Sequence, residues 1–192
     1  KEKKNTPTFI PYPKNAKKTE IIASSEIPEL SREGYSISVW IWINDVDWKK
    51  KELKHIFYRG QYNAPMKKCQ PCVILNEENN LSVYFELEND KNLKSTIENL
   101  PLGRWFNIII TAYKRTFNIF IDGVLKNTDV SEETLKQNNS AIYVTPNGGF
   151  EFVWDVSPET KFIYDNGQSN TIVDVYSAKN IKGNLGFEVI FT

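Results

Sequence analysis

The sequence has little of several features that support common functions. It has one histidine and two cysteines, and its 24 basic residues balance 24 acidic ones, so the net charge is zero. Without excess positive charge, the chain has no global field that would attract nucleic acid. No apolar run approaches the ~20 residues of a membrane-spanning helix, so we expect no membrane insertion. The single histidine also gives no support to a Ser-His-Asp catalytic site.

The two cysteines lie close together, as Cys69 and Cys72. Because His55 is the only histidine, they cannot complete a four-ligand zinc site with cysteine and histidine alone. A redox centre would place the pair at the start of a helix, whereas here a loop leads into a strand. Three alternatives stay open: a disulfide that stiffens the loop, two thiols, or a bond to a region outside this chain. Of these, we predict the local disulfide between Cys69 and Cys72.

What the sequence does contain is short strand-like segments separated by turn residues. Residues 35–43 alternate apolar and other residues with a period of two, and residues 117–123 end in an Asp-Gly turn of the kind that closes hairpins. Further strands are predicted near residues 20–23, 56–58, 73–75, 81–87, 95–97, 105–113, 142–144, 150–154, 161–164, 171–176 and 185–191. The one helix candidate is residues 131–136, with Ser131 as its cap. Ser82 and Glu86 are expected to face outward from their strand.

This pattern predicts an all-β fold with at most one short helix. Residues 1–19, interrupted by Pro7, Pro11 and Pro13, are predicted to form an extended arm or linker. Residues 20–192 are predicted to form a single β-sandwich whose strands at 151–192 are atypical. Since the chain begins at Lys1 without an initiator methionine or an apolar signal segment, we expect a domain or processed fragment of a longer protein.

Three motifs carry a resemblance to a known family. They are Tyr-x-Ile-x-x-Trp at residues 35–40, Gly103-Arg104-Trp105, and the strand at residues 117–123. Together they resemble the laminin-G-like and concanavalin-A-like lectin and glucanase jelly-roll domains. With Pro-Asn-Gly-Gly-Phe at residues 146–150, the chain looks most like those of large DNA viruses. The resemblance covers residues 21–150 and implies an antiparallel two-sheet β-sandwich of the kind found in glycosidases, lectins and adhesion modules.

Glycosidase activity is not expected, and we predict that the chain is not an enzyme. A retaining glycosidase needs two carboxylates about 5 Å apart. The resemblance implies that such carboxylates would come from a compact Glu-x-Asp-x-x-Glu run. Glu151, Asp155 and Glu159 are spaced more widely, and Pro158 interrupts the strand before the third.

Aromatic side chains offer a way to bind sugar. Trp40, Trp42, Tyr84 and Phe120 lie opposite the apolar stripes of their strands, and they would form an aromatic row if those strands were neighbours in one sheet. The alternative is that the arm or the C-terminal strands cover this row. No cofactor is predicted. Calcium is the one candidate metal, through Asn44, Asp45 and Asp47, although these are fewer donors than the ~6 to 8 that calcium takes.

The leading functional hypothesis is a non-enzymatic recognition or structural module that binds a protein or a glycan at a cell or virion surface. The loops at residues 44–54 and 61–72 are the expected contact surface. Their predicted anchors are Trp48, Tyr58, Arg59 and Tyr62, because Trp, Tyr and Arg dominate binding hot spots. Two alternatives are a lectin that uses the aromatic sheet face and an architectural capsid or scaffold component.

Overall fold

The computed structural model describes residues 8–10, 19–27, 34–43, 53–62, 66–146, 173–178 and 185–188. These residues form strands and three short 3-10 turns, with no α-helix among them. The strands are β1 Thr8–Ile10, β2 Glu20–Ile22, β3 Gly34–Ile43, β4 Lys54–Arg59, β5 Cys72–Leu75, β6 Leu81–Glu86, β7 Asn92–Ile97, β8 Trp105–Tyr113, β9 Thr116–Ile121, β10 Val124–Val130, β11 Ile142–Val144, β12 Val173–Ala178 and β13 Leu185–Glu188. Within this part of the chain no helix is long and apolar enough to cross a membrane.

The strands form two antiparallel sheets, which confirms the predicted β-sandwich. The seven-stranded sheet has the order β1-β13-β12-β3-β8-β9-β10, and the six-stranded sheet has the order β2-β11-β4-β5-β6-β7. Strand β12 pairs with β3, the middle strand of the seven-stranded sheet, so the C-terminal strands β12 and β13 belong to that sheet. Strand β1, within the predicted arm, pairs with β13 at the edge. The strands predicted at residues 150–154 and 161–164 lie outside the described residues.

The core lies between the two sheets. Strand β3 buries Ile37, Val39 and Ile41, as its period of two predicts, and the neighbouring strands β8 and β9 bury their own alternate residues. Phe85 of β6 and Phe117 of β9 join the two layers, with ring centroids 4.6 Å apart. Burial of the apolar side chains between the sheets is the main source of the stability of such a fold.

The predicted helix at residues 131–136 is wrong. Leu135 instead forms a β-bridge with Leu87, and the Lys136 amide donates a 3.1 Å hydrogen bond to the Glu86 carbonyl. The segment thus pairs with the end of the β6–β7 hairpin. A helix of two turns is marginal in water, so these tertiary hydrogen bonds decide the local structure.

Ser82 and Glu86, which we expected to face solvent, are buried. The Glu86 carboxylate pairs with the Lys136 ammonium at 2.9 Å and lies 3.6 Å from the Lys68 ammonium. The charges of Lys68 and Lys136 come from segments that fold over this end of β6, and they compensate the burial of the carboxylate. Alternation along a strand assigns a residue to a face of its sheet, but other segments can still cover that face.

Candidate functional site

The outer face of the seven-stranded sheet carries a cluster of partly exposed aromatic residues. Trp40 and Trp42 of β3 alternate with buried residues and point away from the core. Trp42 is the cross-strand partner of Trp105 in β8, and the two rings meet edge-on at a centroid distance of 5.7 Å. Such an edge-to-face arrangement is favoured by the quadrupoles of the rings.

The apolar surface continues from this pair across two more strands. Ile109 of β8 is the partner of Phe120 of β9, and both are partly exposed. We call the set formed by Trp40, Trp42, Trp105, Ile109 and Phe120 the tryptophan face. Leu125 of β10 is the next cross-strand partner of Phe120 and is half exposed, so the apolar surface reaches the edge of the sheet.

Polar side chains flank the tryptophan face on one side. The Asn118 amide nitrogen donates to the Thr111 hydroxyl at 3.2 Å, and the Asn118 amide oxygen accepts from the Thr128 hydroxyl at 2.8 Å. These three residues form a hydrogen-bonded row across β8, β9 and β10. The row therefore holds donors and acceptors in fixed positions beside the apolar surface.

A second polar group lies beside the tryptophans. The Arg104 guanidinium pairs with one Asp122 carboxylate oxygen at 2.7 Å, and the other oxygen accepts a hydrogen bond from the backbone amide of Asn107 at 2.9 Å. Asn107 is the cross-strand partner of Trp40, and its side chain donates to the Ser38 hydroxyl at 2.9 Å. An aromatic platform with polar groups on two sides can contact the apolar face of a sugar or an aromatic anchor of a protein partner.

The predicted row of four aromatic residues is corrected by the sheet order. Trp40, Trp42 and Phe120 share the tryptophan face, but Tyr84 lies on β6 in the six-stranded sheet. The Lys94 ammonium lies over the Tyr84 ring, 5.6 Å from its centroid. Burial raises the pKa of the Tyr84 hydroxyl to about 12. Tyr84 therefore cannot act together with the two tryptophans on one surface.

Tyr58 and Arg59 do not fit the contact role that we predicted for them. Both lie on β4, which is an inner strand between β11 and β5, and their exposed fractions are 0% and 2%. The Arg59 Nε donates to the Ser140 carbonyl at 3.0 Å, and burial lowers the pKa of its guanidinium to about 10. Tyr58 lies in the strand predicted at residues 56–58, but that strand extends through Arg59, and with β11 and β5 on its two sides neither side chain is exposed.

Tyr62, in contrast, is 56% exposed and remains a candidate contact residue. Its ring packs at 5.5 Å from the ring of Tyr143, which stacks at 5.0 Å on the buried Tyr58. Ile21, also exposed, is the cross-strand partner of Tyr143. We call Tyr62, Tyr143 and Ile21 the tyrosine patch, a smaller apolar surface formed by strands β11 and β2 of the six-stranded sheet and the turn after β4.

The predicted disulfide is absent, because Cys69 and Cys72 are both buried thiols. The Cys72 sulfur lies 3.5 Å from His55 Nε2 on the neighbouring strand, whereas Cys69 packs beside Gly60. Burial raises the pKa of the Cys69 thiol to about 12 and that of Cys72 well above its usual range, and it lowers the pKa of His55. A nucleophilic cysteine needs the opposite shifts.

The remaining predicted site residues lie outside the described residues. They are Trp48 and the calcium candidates Asn44, Asp45 and Asp47. The carboxylates Glu151, Asp155 and Glu159, which we did not expect to be catalytic, also lie outside the described residues. Within the described part of the chain, no group of three or more His, Cys, Asp or Glu residues could hold a metal ion.

Trp105 and Ile109 belong to the tryptophan face but were not predicted as site residues. Trp105 is part of the Gly-x-Trp motif, which we read only as a sign of the fold. Its contact with Trp42 depends on the register between β3 and β8. The strand period places Trp105 and Ile109 on one face of β8, but it does not show that β3 is the neighbouring strand.

The fold of this chain is similar to that of solved botulinum neurotoxin structures. No family model matches the chain, and no curated protein matches it. A structure of botulinum neurotoxin type C matches with a TM-score of 0.58 and 16% identity over 90% of this chain and 36% of that one. Cell entry of that toxin is described as dependent upon interaction with two ganglioside molecules. The botulinum neurotoxin serotype D binding domain matches with a TM-score of 0.58 and 15% identity over the same shares.

A third similar structure is the binding domain of botulinum neurotoxin DC in complex with rat synaptotagmin II. It has a TM-score of 0.50 and 18% identity over 66% of this chain and 31% of that one. This chain therefore spans about a third of the length of the neurotoxin chains that it matches. At these identities the likeness shows a shared fold, a two-sheet β-sandwich.

Proposed function

We propose that this chain is a non-enzymatic binding module that recognises a protein or a glycan through the tryptophan face. The observation that carries the proposal is the edge-on pair of Trp42 and Trp105, which is partly exposed on the outside of a folded sheet. Large aromatic residues usually lie inside a protein, and an exposed aromatic surface of this kind marks an interaction site.

The surroundings of the pair support this role. Tryptophan is enriched among the residues that dominate binding energy, and an aromatic ring can also stack on the apolar face of a sugar. The row of Thr111, Asn118 and Thr128 provides polar groups that could orient a ligand. Some proteins of similar fold bind gangliosides or synaptotagmin, which agrees with either class of partner.

Cysteine-based catalysis finds no support in the chemistry of the described residues. Their Cys72 and His55 pair is buried, and the shifts of both pKa values favour a neutral thiol beside a neutral imidazole. Such a pair lacks the thiolate that nucleophilic catalysis requires.

Our proposal extends to the setting of the module. We place it at a cell or virion surface, as a domain of a longer protein, and we retain the laminin-G-like and concanavalin-A-like jelly-roll relationship, with its viral look-alikes, as a hypothesis. The motifs at residues 35–40 and 117–123 support that relationship.

Binding of the labelled chain to a glycan array and to cells tests the proposal, with and without calcium. We expect saturable binding, which glycosidase treatment of the cells removes if the partner is a glycan and protease treatment removes if it is a protein. Trp42→Ala should weaken binding at least tenfold, whereas Tyr62→Ala should leave it unchanged. A folded wild-type chain that binds neither surface would contradict the proposal, as would binding that Trp42→Ala does not affect.

A further inference from the structure

A crevice of about 410 Å³ lies at the end of the β6–β7 hairpin, on residues that the tryptophan face does not share. Its lining comes from three segments: Glu88 from the turn between β6 and β7, Lys114 from the turn between β8 and β9, and Thr134, Leu135 and Gln137 from the segment that precedes β11. The volume falls within the range of small-molecule sites in proteins.

Backbone hydrogen bonds fix the three walls relative to one another. The Glu88 amide donates to the Thr134 carbonyl at 2.9 Å, and the Leu135 amide donates to the Lys114 carbonyl at 3.2 Å. The Glu133 carboxylate, outside the crevice, accepts a hydrogen bond from the Asn89 side chain and pairs with the ammonium of Lys91, the residue before β7. The shape of the crevice is therefore set before any ligand arrives, which lowers the entropic cost of binding.

The groups in the crevice are those that a sugar needs. Glu88, Thr134 and Gln137 are exposed, and no other described residue forms a hydrogen bond with their side chains. They offer a carboxylate acceptor, a hydroxyl and an amide, while the partly buried Leu135 supplies an apolar surface. We infer that this crevice binds one neutral saccharide residue, with its hydroxyls on these three side chains and an apolar face on Leu135.

Other classes of ligand fit the lining less well. The Glu88 carboxylate repels an anionic ligand. The one basic residue of the lining, Lys114, already makes a cation–π contact, because its ammonium lies over the Tyr113 ring, 5.0 Å from the ring centroid. A divalent cation would find one carboxylate, well short of the ~6 to 8 oxygen ligands that calcium takes. An apolar peptide would find only Leu135. A neutral, polyhydroxylated ligand is the class that uses Glu88, Thr134, Gln137 and Leu135 together.

A titration followed by amide chemical shifts tests this inference, with methyl glycosides of glucose, galactose, mannose and N-acetylglucosamine and with glucuronate as the acidic comparison. We expect at least one neutral glycoside to shift the amides of residues 88, 114 and 134–137 in a saturable way, and glucuronate to bind more weakly. Thr134→Val and Gln137→Ala should each weaken binding about fivefold to tenfold, because each removes a hydrogen bond to the sugar.

Two control variants separate this site from other effects. Glu132→Gln, in the same segment but outside the lining, should leave the affinity unchanged. Trp42→Ala should also leave it unchanged, because the crevice does not depend on the tryptophan face. The inference is overturned if no glycoside shifts these amides at about 50 mM, far above a millimolar dissociation constant. It is also overturned if glucuronate binds more tightly, or if Thr134→Val and Gln137→Ala both keep the wild-type affinity.

Discussion

Trp42 and Trp105 lie side by side on the outer face of the seven-stranded sheet, with their ring planes inclined by 64°. The two residues are far apart in the sequence, and only the pairing of β3 with β8 brings them together. An aromatic pair of this geometry adds about 1 kcal/mol beyond the burial of its area. It therefore also holds both rings in place, so that a partner would meet a surface that is already ordered.

Gly34→Ala should lower the free energy of unfolding by about 3 kcal/mol. Gly34 opens β3 opposite Tyr113, and a Cβ at this position would lie 1.9 Å from the Ala112 carbonyl oxygen of the paired strand. Backbone atoms in a ladder cannot move away cheaply, so the strands must separate locally. Urea unfolding of wild type and variant measures the difference.

Gly103→Ala is the matched control for this prediction. A Cβ at Gly103 would meet no atom within 4 Å, and its φ of +62° gives only the strain of a left-handed conformation, which costs about 1 kcal/mol. Equal losses in the two variants would show that the close approach of β3 and β8 at Gly34 is not a determinant of stability.

Stability should fall when the pH is lowered from 7 to 5, because of His55. Burial lowers the pKa of His55 in the folded state well below 6.5, and its neighbours are the Cys72 thiol and the Tyr58 ring. Below pH 6.5 the unfolded chain binds a proton that the folded chain does not, so the unfolding free energy decreases by at most about 1.4 kcal/mol per pH unit. Above that pH the contribution is fully present.

His55 is the only histidine, and Asp and Glu side chains ordinarily titrate near pH 4. The change in unfolding free energy between pH 7 and 6 can therefore be assigned to His55. Urea unfolding at several pH values measures it. In His55→Asn the slope between pH 7 and 6 should nearly vanish, whatever the cost of the substitution itself. A slope that persists unchanged in this variant would rule out His55 as its source.

The two cysteines should be unreactive in the folded protein and reactive after unfolding. Their burial and the raised pKa of the Cys69 thiol leave almost no thiolate near neutral pH. Ellman's reagent should therefore react slowly with the native chain and should count two thiols per chain in guanidinium chloride. A count of zero after unfolding would instead support the disulfide that the sequence suggested.

Strand periodicity predicted much of the fold, because one face of each sheet is buried. The alternation in β3 assigned Ile37, Val39 and Ile41 to the core and Trp42 to the opposite face, and the structure agrees. The helix prediction for residues 131–136 failed because the cap and the acidic first turn are only local signals. The bridge between Leu135 and Leu87 is a tertiary contact, which outweighs them.

The candidate site was predictable only in part, because a sequence does not give the order of strands. Trp40, Trp42 and Phe120 were assigned to outward faces correctly, but Tyr84 was grouped with them although it belongs to the other sheet. Arg59 was predicted as a contact residue because Trp, Tyr and Arg dominate binding hot spots. The strand in fact continues through Arg59, and neighbouring strands on both sides enclose it.

Oxidative footprinting of the chain, alone and bound to the partner found on the glycan array or on cells, tests the tryptophan face most directly. We expect oxidation of Trp42 and Trp105 to fall several-fold on binding, while Tyr62 of the tyrosine patch, which is exposed in the turn after β4 of the other sheet, keeps its reactivity. Protection of Tyr62 with no change at Trp42 and Trp105 would contradict the account and would move the contact surface to the tyrosine patch.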